Sequence, residues 1–137
     1  MRRSLLLLSA AAIIAAAPHP AGAQAAKPAL YTADQATAGA AVYSQACAAC
    51  HGAQMEGVAA PALKGSVFGE MATAQGLTVD ALLDVIANTM PQSDPGSLKP
   101  DEYNAVTAYI LQQNGYPAGT AALAKGAAGL KDAKVTP

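Results

Sequence analysis

Cys47-Ala48-Ala49-Cys50-His51 is the stretch on which the reading of this chain turns. Two thiols three positions apart, followed by an imidazole, form the C-x-x-C-H signature of covalent c-type haem attachment. The spacing has a chemical reason. Each thiol can add across one of the two vinyl groups on a porphyrin edge, and the next residue can then turn its imidazole nitrogen to the iron. Both cysteines of the 137-residue chain fall in this window. Three other chemistries use similar residues. A thioredoxin-like dithiol needs a βαβ surround, and the flanking sequence has no such pattern. A structural zinc site needs four ligands, and there is no second Cys/His pair. A plain disulfide leaves the adjacent His unexplained. Haem attachment is the expected reading.

Downstream, the question is what holds the iron from its other side. Met55 lies four residues after His51. An extended chain gains at most about 3.6 Å per residue, too little to pass round the ring edge. Met71 is possible by length. Met90 is better placed, 39 residues beyond His51 and at the end of an expected helix. Pro91 fixes the backbone after it, and the open segment Gln92–Leu98 can wrap the far face. The usual fate of a lone Met is core filler. Given haem, Met90 is the expected second ligand, with Met71 or an open, water-bound position as alternatives.

Upstream lies an address. Met1-Arg2-Arg3-Ser4 precedes a 13-residue apolar run, Leu5 to Ala17. That is shorter than the roughly 20 residues a spanning helix needs. Pro18-His19-Pro20 breaks the run, and Ala21-Gly22-Ala23 offers small residues for cleavage. Residues 1–23 therefore read as a secretory signal peptide cleaved before Gln24, with Ala23-Gln24-Ala25 as a second possible site. Arg2-Arg3 alone is a weak twin-arginine signal. Export to the periplasm, without stable membrane insertion after cleavage, is the expectation.

The mature chain keeps six Lys, nine acids and no Arg, a formal charge of −3, and His51 becomes its only histidine. A nucleic-acid partner is not expected, since such a binder would be basic. Two cysteines exclude a disulfide-dense scaffold. The 53% hydrophobic content includes 36 Ala, and only 27 Val, Ile, Leu, Met, Phe and Tyr remain after cleavage. That is a lean core for a small domain, one that a large apolar cofactor would help to fill.

The helices follow from caps and periodicity. Thr32 and Gln35 have capping-box spacing, with Ala36, Gly39, Tyr43 and Cys47 on one face of a helix from Ala33 to about Cys47. Thr78 reads as an N-cap before Val79, Leu82, Leu83, Ile86 and Met90. Pro100 suits a first helical position, although Lys99 is a poor cap. Tyr103, Val106, Tyr109 and Ile110 form an inward stripe, and Gly115 with Pro117 ends it. Gly52 to Gly76 reads as loop with at most one short helical turn. Residues 24–31 read as a flexible start, 32–117 as the folded domain, and 118–137 as an Ala/Gly/Lys-rich tail, mobile or draped on the surface and outside the core.

The motif near the mature N-terminus, Met90-Pro91 downstream and a closing helix with Ala108-Tyr109-Ile110 occur in the order of a class I monohaem cytochrome c. The chain resembles that family over roughly Thr32 to Gly119. The resemblance implies an all-α fold of three to four short helices, with loops wrapped around one covalently bound haem. It implies that the first and last helices cross closely, at Gly39 and Tyr43 against Tyr109. It implies that the Pro61 carbonyl takes the hydrogen bond of the second His51 nitrogen, and that Leu63 packs on the same side of the ring. Thr89 to Leu98 and Ala108 to Gly119 are similar to small cytochromes and cytochrome domains associated with quinoprotein (pyrroloquinoline quinone) dehydrogenases.

Two departures stand out: the mature chain has neither Trp nor Arg, and Met71 falls where many relatives place an aromatic. Backbone N–H groups, Tyr hydroxyls, water or a Lys such as Lys64 must then meet the haem propionates. The functional expectation is a non-enzymatic carrier of single electrons from a periplasmic dehydrogenase towards a terminal oxidase or another acceptor. The competing expectations are a fixed electron-transfer subunit of a dehydrogenase complex, or a gas sensor or peroxidase-like catalyst with labile Met ligation.

Overall fold

A computed structural model describes residues 26–137, so the expected leader lies outside the described residues. Five helices follow along the chain: α1 (Ala33–Ala46), α2 (Ala48–His51), α3 (Gly65–Ala74), α4 (Val79–Thr89) and α5 (Pro100–Gln113). Among the described residues there is no strand, only an isolated antiparallel bridge between Thr78 and Lys134. None of the described helices is long and apolar enough to cross a membrane. The all-α class expected from sequence is the class observed.

The local signals act as their chemistry requires. Thr32 Oγ1 accepts from Gln35 N while Gln35 Oε1 accepts from Thr32 N, both at 3.3 Å, so two donors at the start of α1 are satisfied reciprocally. Thr78 Oγ1 accepts from Ala81 N at 3.1 Å and starts α4. Lys99 has no capping oxygen, but the Glu102 carboxylate reaches back to Lys99 N at 2.7 Å.

The tightest helix pair is α1 against α5. At Gly39 a Cβ would lie 1.9 Å from the Ala105 carbonyl oxygen and 2.9 Å from Tyr109 Cβ. Only a residue without Cβ lets the two backbones approach this far. One turn on, the Tyr43 and Tyr109 rings meet at 5.6 Å between centroids and 60° between planes, a tilted aromatic contact. Gly39→Ala is expected to cost about 3 kcal/mol, the upper part of the overpacking range, because the obstacle is backbone. Denaturant unfolding checks this, and a loss below about 0.5 kcal/mol would mean that the crossing can slide apart.

Three expectations need correction. The helix count exceeds three to four, because the haem motif itself makes the single turn α2 and a ten-residue helix, α3, occupies a stretch read as loop. The glycines there misled the reading. Gly69 is a mid-helix residue whose missing Cβ leaves room for Pro137, whose Cα would otherwise lie 2.7 Å away. The tail is not outside the core: Leu123, Leu130 and Val135 are each buried to 1% exposure. Its backbone is also paired. Gln35 brackets Leu123 with two side-chain hydrogen bonds. Val79 N and Asp80 N, unpaired donors at the start of α4, donate to Ala133 O and Leu130 O. The described part of the start is likewise tied down: the Lys27 amine donates to Asn114 O and Thr136 O, and the buried Tyr31 phenol donates to Tyr116 O.

Candidate functional site

The motif occupies the junction of α1 and α2. The Cys47 carbonyl accepts from Cys50 N and His51 N, closing one turn that brings both cysteines and the histidine close together. Cys47 is half-buried, Cys50 is exposed, and the two are not bonded to each other. Burial pushes the Cys47 thiol up from its ordinary range, opposite to the lowered pKa of a redox-active dithiol. Among the described residues no three or more His, Cys, Asp or Glu side chains gather as a metal cage. Neither finding favours the rival readings of the motif.

The following loop curls back over this turn. The Cys50 carbonyl accepts from Val58, Ala59 and Ala60 N, and the His51 carbonyl from Gly57 N. That fold-back carries Pro61 to the histidine, with the Pro61 carbonyl 2.8 Å from His51 Nδ1. A carbonyl can only accept, so Nδ1 holds the proton and Nε2 keeps its lone pair for a metal. The neighbouring Leu63 is held through its carbonyl, which accepts from Asn114 Nδ2 at the end of α5. The Tyr43 phenol donates to Gly52 O at 2.7 Å from the α1 side. Its pKa is pushed up to about 12, by burial first and then by Cys47, Glu56 and Tyr109. It therefore stays a neutral donor through ordinary pH.

Cys47, Cys50, His51, Pro61, Leu63 and Met90, all singled out from sequence, line one cavity of about 790 Å³. That volume lies within the roughly 300–1,000 Å³ typical of ligand sites. Met90 caps the C-terminal end of α4 in extended conformation, so its side chain leaves the helix where the helix stops. Met71 of α3 lines the same cavity. Met55 does not; it is 1% exposed in the core, at φ +63°.

The cavity walls are Phe68 from α3, Leu82, Val85 and Ile86 from α4, and Val106 and Ile110 from α5. Four of these residues stand on the helix faces expected from sequence, Leu82, Ile86, Val106 and Ile110, whereas Phe68 and Val85 went unread. Phe68, Met71 and Ala72 do recur at helical spacing, and that signal could have revealed α3. The polar lining consists of Gln45, Gln75, Gln92, Ser93, Asp94 and Ser97. Lys64 is not part of it; its amine donates to Gln113 Oε1 at 3.3 Å. The phenols of Tyr31, Tyr43, Tyr103 and Tyr116 are spent on backbone carbonyls. Among the lining side chains, amides and serine hydroxyls are the uncharged donors that the cavity offers to propionate groups.

An apolar slot with two thiols, a free imidazole nitrogen and a thioether along its lining fits a covalently attached haem. A family model described as cytochrome C oxidase, cbb3-type, subunit III matches residues 34–110, from the first turn of α1 into α5. No curated protein matches the chain.

Proposed function

The chain belongs to the cytochrome C oxidase, cbb3-type, subunit III family, and on that premise we propose that it is an exported carrier of single electrons. Membership gives a class I cytochrome c domain, a covalently bound haem c at the C-x-x-C-H motif, and electron transfer with redox partners. The finer reading assigns Cys47 and Cys50 to the thioether bonds and His51 and Met90 to the iron. The observation that carries it is the convergence of those four side chains on one apolar cavity.

When bound, the haem supplies a one-electron ferric/ferrous couple. The chain governs what that couple can do. With His51 and Met90 both holding the iron, no coordination position would remain open for a substrate, which would favour outer-sphere transfer over oxygen chemistry. A thioether ligand raises the potential. Phe68, Leu82, Ile86, Val106 and Ile110 keep water out and disfavour the extra positive charge of the oxidised state. The test is an absorption spectrum of the purified protein, oxidised and reduced. Low-spin spectra with colour retained through acid–acetone extraction are expected. A colourless product from a host competent in cytochrome maturation overturns the reading.

A periplasmic dehydrogenase of the quinoprotein class is the proposed donor, and a terminal oxidase or a second cytochrome the acceptor. Support for the donor is the likeness of Thr89–Leu98 and Ala108–Gly119 to cytochromes associated with such enzymes. The leader pattern of residues 1–23 supports the periplasm, and a mature N-terminus at Gln24 by mass spectrometry checks it. Asp94 is the only Lys, Asp or Glu among the cavity-lining residues. With a formal charge of only −3 and no Arg on the mature chain, docking at the mouth of this cavity is expected to gain little from long-range charge steering. Between about 20 and 200 mM salt, the bimolecular rate with the donor is expected to change less than about threefold. A steep fall with salt would place the docking face elsewhere.

A further inference from the structure

We propose that Tyr103 is the positioning residue that closes the neck of the loop after Met90, and that its phenol sets how readily Met90 leaves the iron. The inference rests on the assignment of Met90 as axial ligand. Tyr103 stands in the first turn of α5 and is 6% exposed. Its hydroxyl donates to the Met90 carbonyl at 2.8 Å and accepts from Leu98 N at 3.4 Å. Those two backbone groups flank residues 91–97, so a single oxygen ties the loop's two ends together. The other hydrogen bonds of the loop backbone are local turns, Asp94 N to Pro91 O and Ser97 N to Asp94 O.

The tie is anchored on something rigid. α5 is locked against α1 by the close approach at Gly39 and Ala105. Met90 ends α4, so its carbonyl lies beyond the helical ladder and needs another donor. The Tyr103 phenol meets that need. Without it the Met90 carbonyl loses its partner and the loop loses its cross-brace, while the ring of Phe keeps the same packing.

The experiment uses purified holoprotein and imidazole, which binds ferric haem by displacing Met90. Tyr103→Phe is expected to retain the red absorption band of Met-ligated ferric haem at neutral pH and to bind imidazole about tenfold more tightly. That factor corresponds to about 1.4 kcal/mol. Tyr31→Phe is the matched control, since its buried phenol donates to the Tyr116 carbonyl, outside this loop and outside the tail's contacts with α4. It is expected to lose comparable stability in denaturant with imidazole affinity unchanged. An affinity for Tyr103→Phe within twofold of wild type, or an equal shift in Tyr31→Phe, overturns the proposal while leaving Met90 as ligand. A wild-type protein that lacks the band before imidazole is added overturns the Met90 assignment, and this proposal with it.

Discussion

Met90→Ala is expected to abolish the red absorption band of Met-ligated ferric haem and to lower the reduction potential by on the order of 100 mV, a fraction of the roughly 0.8 V range that axial ligands command. Two thioethers line the cavity, Met71 from α3 and Met90 at the end of α4, so cavity lining alone does not choose between them. The backbone does. Met71 lies within a continuous helix, where its reach is fixed by the position of α3. Met90 sits where α4 gives way to an extended conformation, and its carbonyl is fastened by Tyr103. Met71→Ala should therefore keep the band. Carbon monoxide gives a second readout, since reduced wild type should not bind it at neutral pH and Met90→Ala should. A band that survives in Met90→Ala would transfer the ligand role to Met71. Carbon monoxide uptake by the wild type would favour the gas-sensing or peroxidase-like alternative.

The parts of this molecule that were legible in the sequence are those whose physics is local. Thr32 with Gln35, Thr78 and Pro100 start helices through partners within three residues, and C-x-x-C-H carries its chemistry in five. What was not legible depends on residues far apart in sequence. Gly69 reads as a loop glycine until Pro137 is seen against it. Lys64, one of several groups offered for a propionate, stands outside the cavity lining, with its amine on Gln113 of α5. Leu123, Leu130 and Val135 are sparse along the chain, and apolar density is a poor guide when each residue fills a separate gap in a distant surface. The family match ends at residue 110, so the tail is also the part on which the resemblance is silent.

Removal of Ala118–Pro137 is the change with the largest expected effect on stability. Three side chains at 1% exposure leave the core with it. At roughly 2 kcal/mol each, their burial is worth about 6 kcal/mol, comparable with the whole stability of a small domain, about 5–15 kcal/mol. The damage would be directed as well as general. Val79 N and Asp80 N lose Ala133 O and Leu130 O, which frays the start of the helix whose other end carries Met90. α3, whose Phe68 and Met71 line the cavity, loses the Pro137 packing on Gly69. α1 loses the Leu123 hydrogen bonds only at Gln35 in its first turn, about three turns from the haem motif at its other end, so covalent attachment should survive and the product should still be coloured. Met ligation should weaken, and the melting temperature should fall by at least about 15 °C. Leu130→Ala grades the same effect at about 2–4 kcal/mol. A truncated holoprotein melting within a few degrees of the full chain would show that the tail's burial contributes nothing to holding α4, and with it Met90, in place.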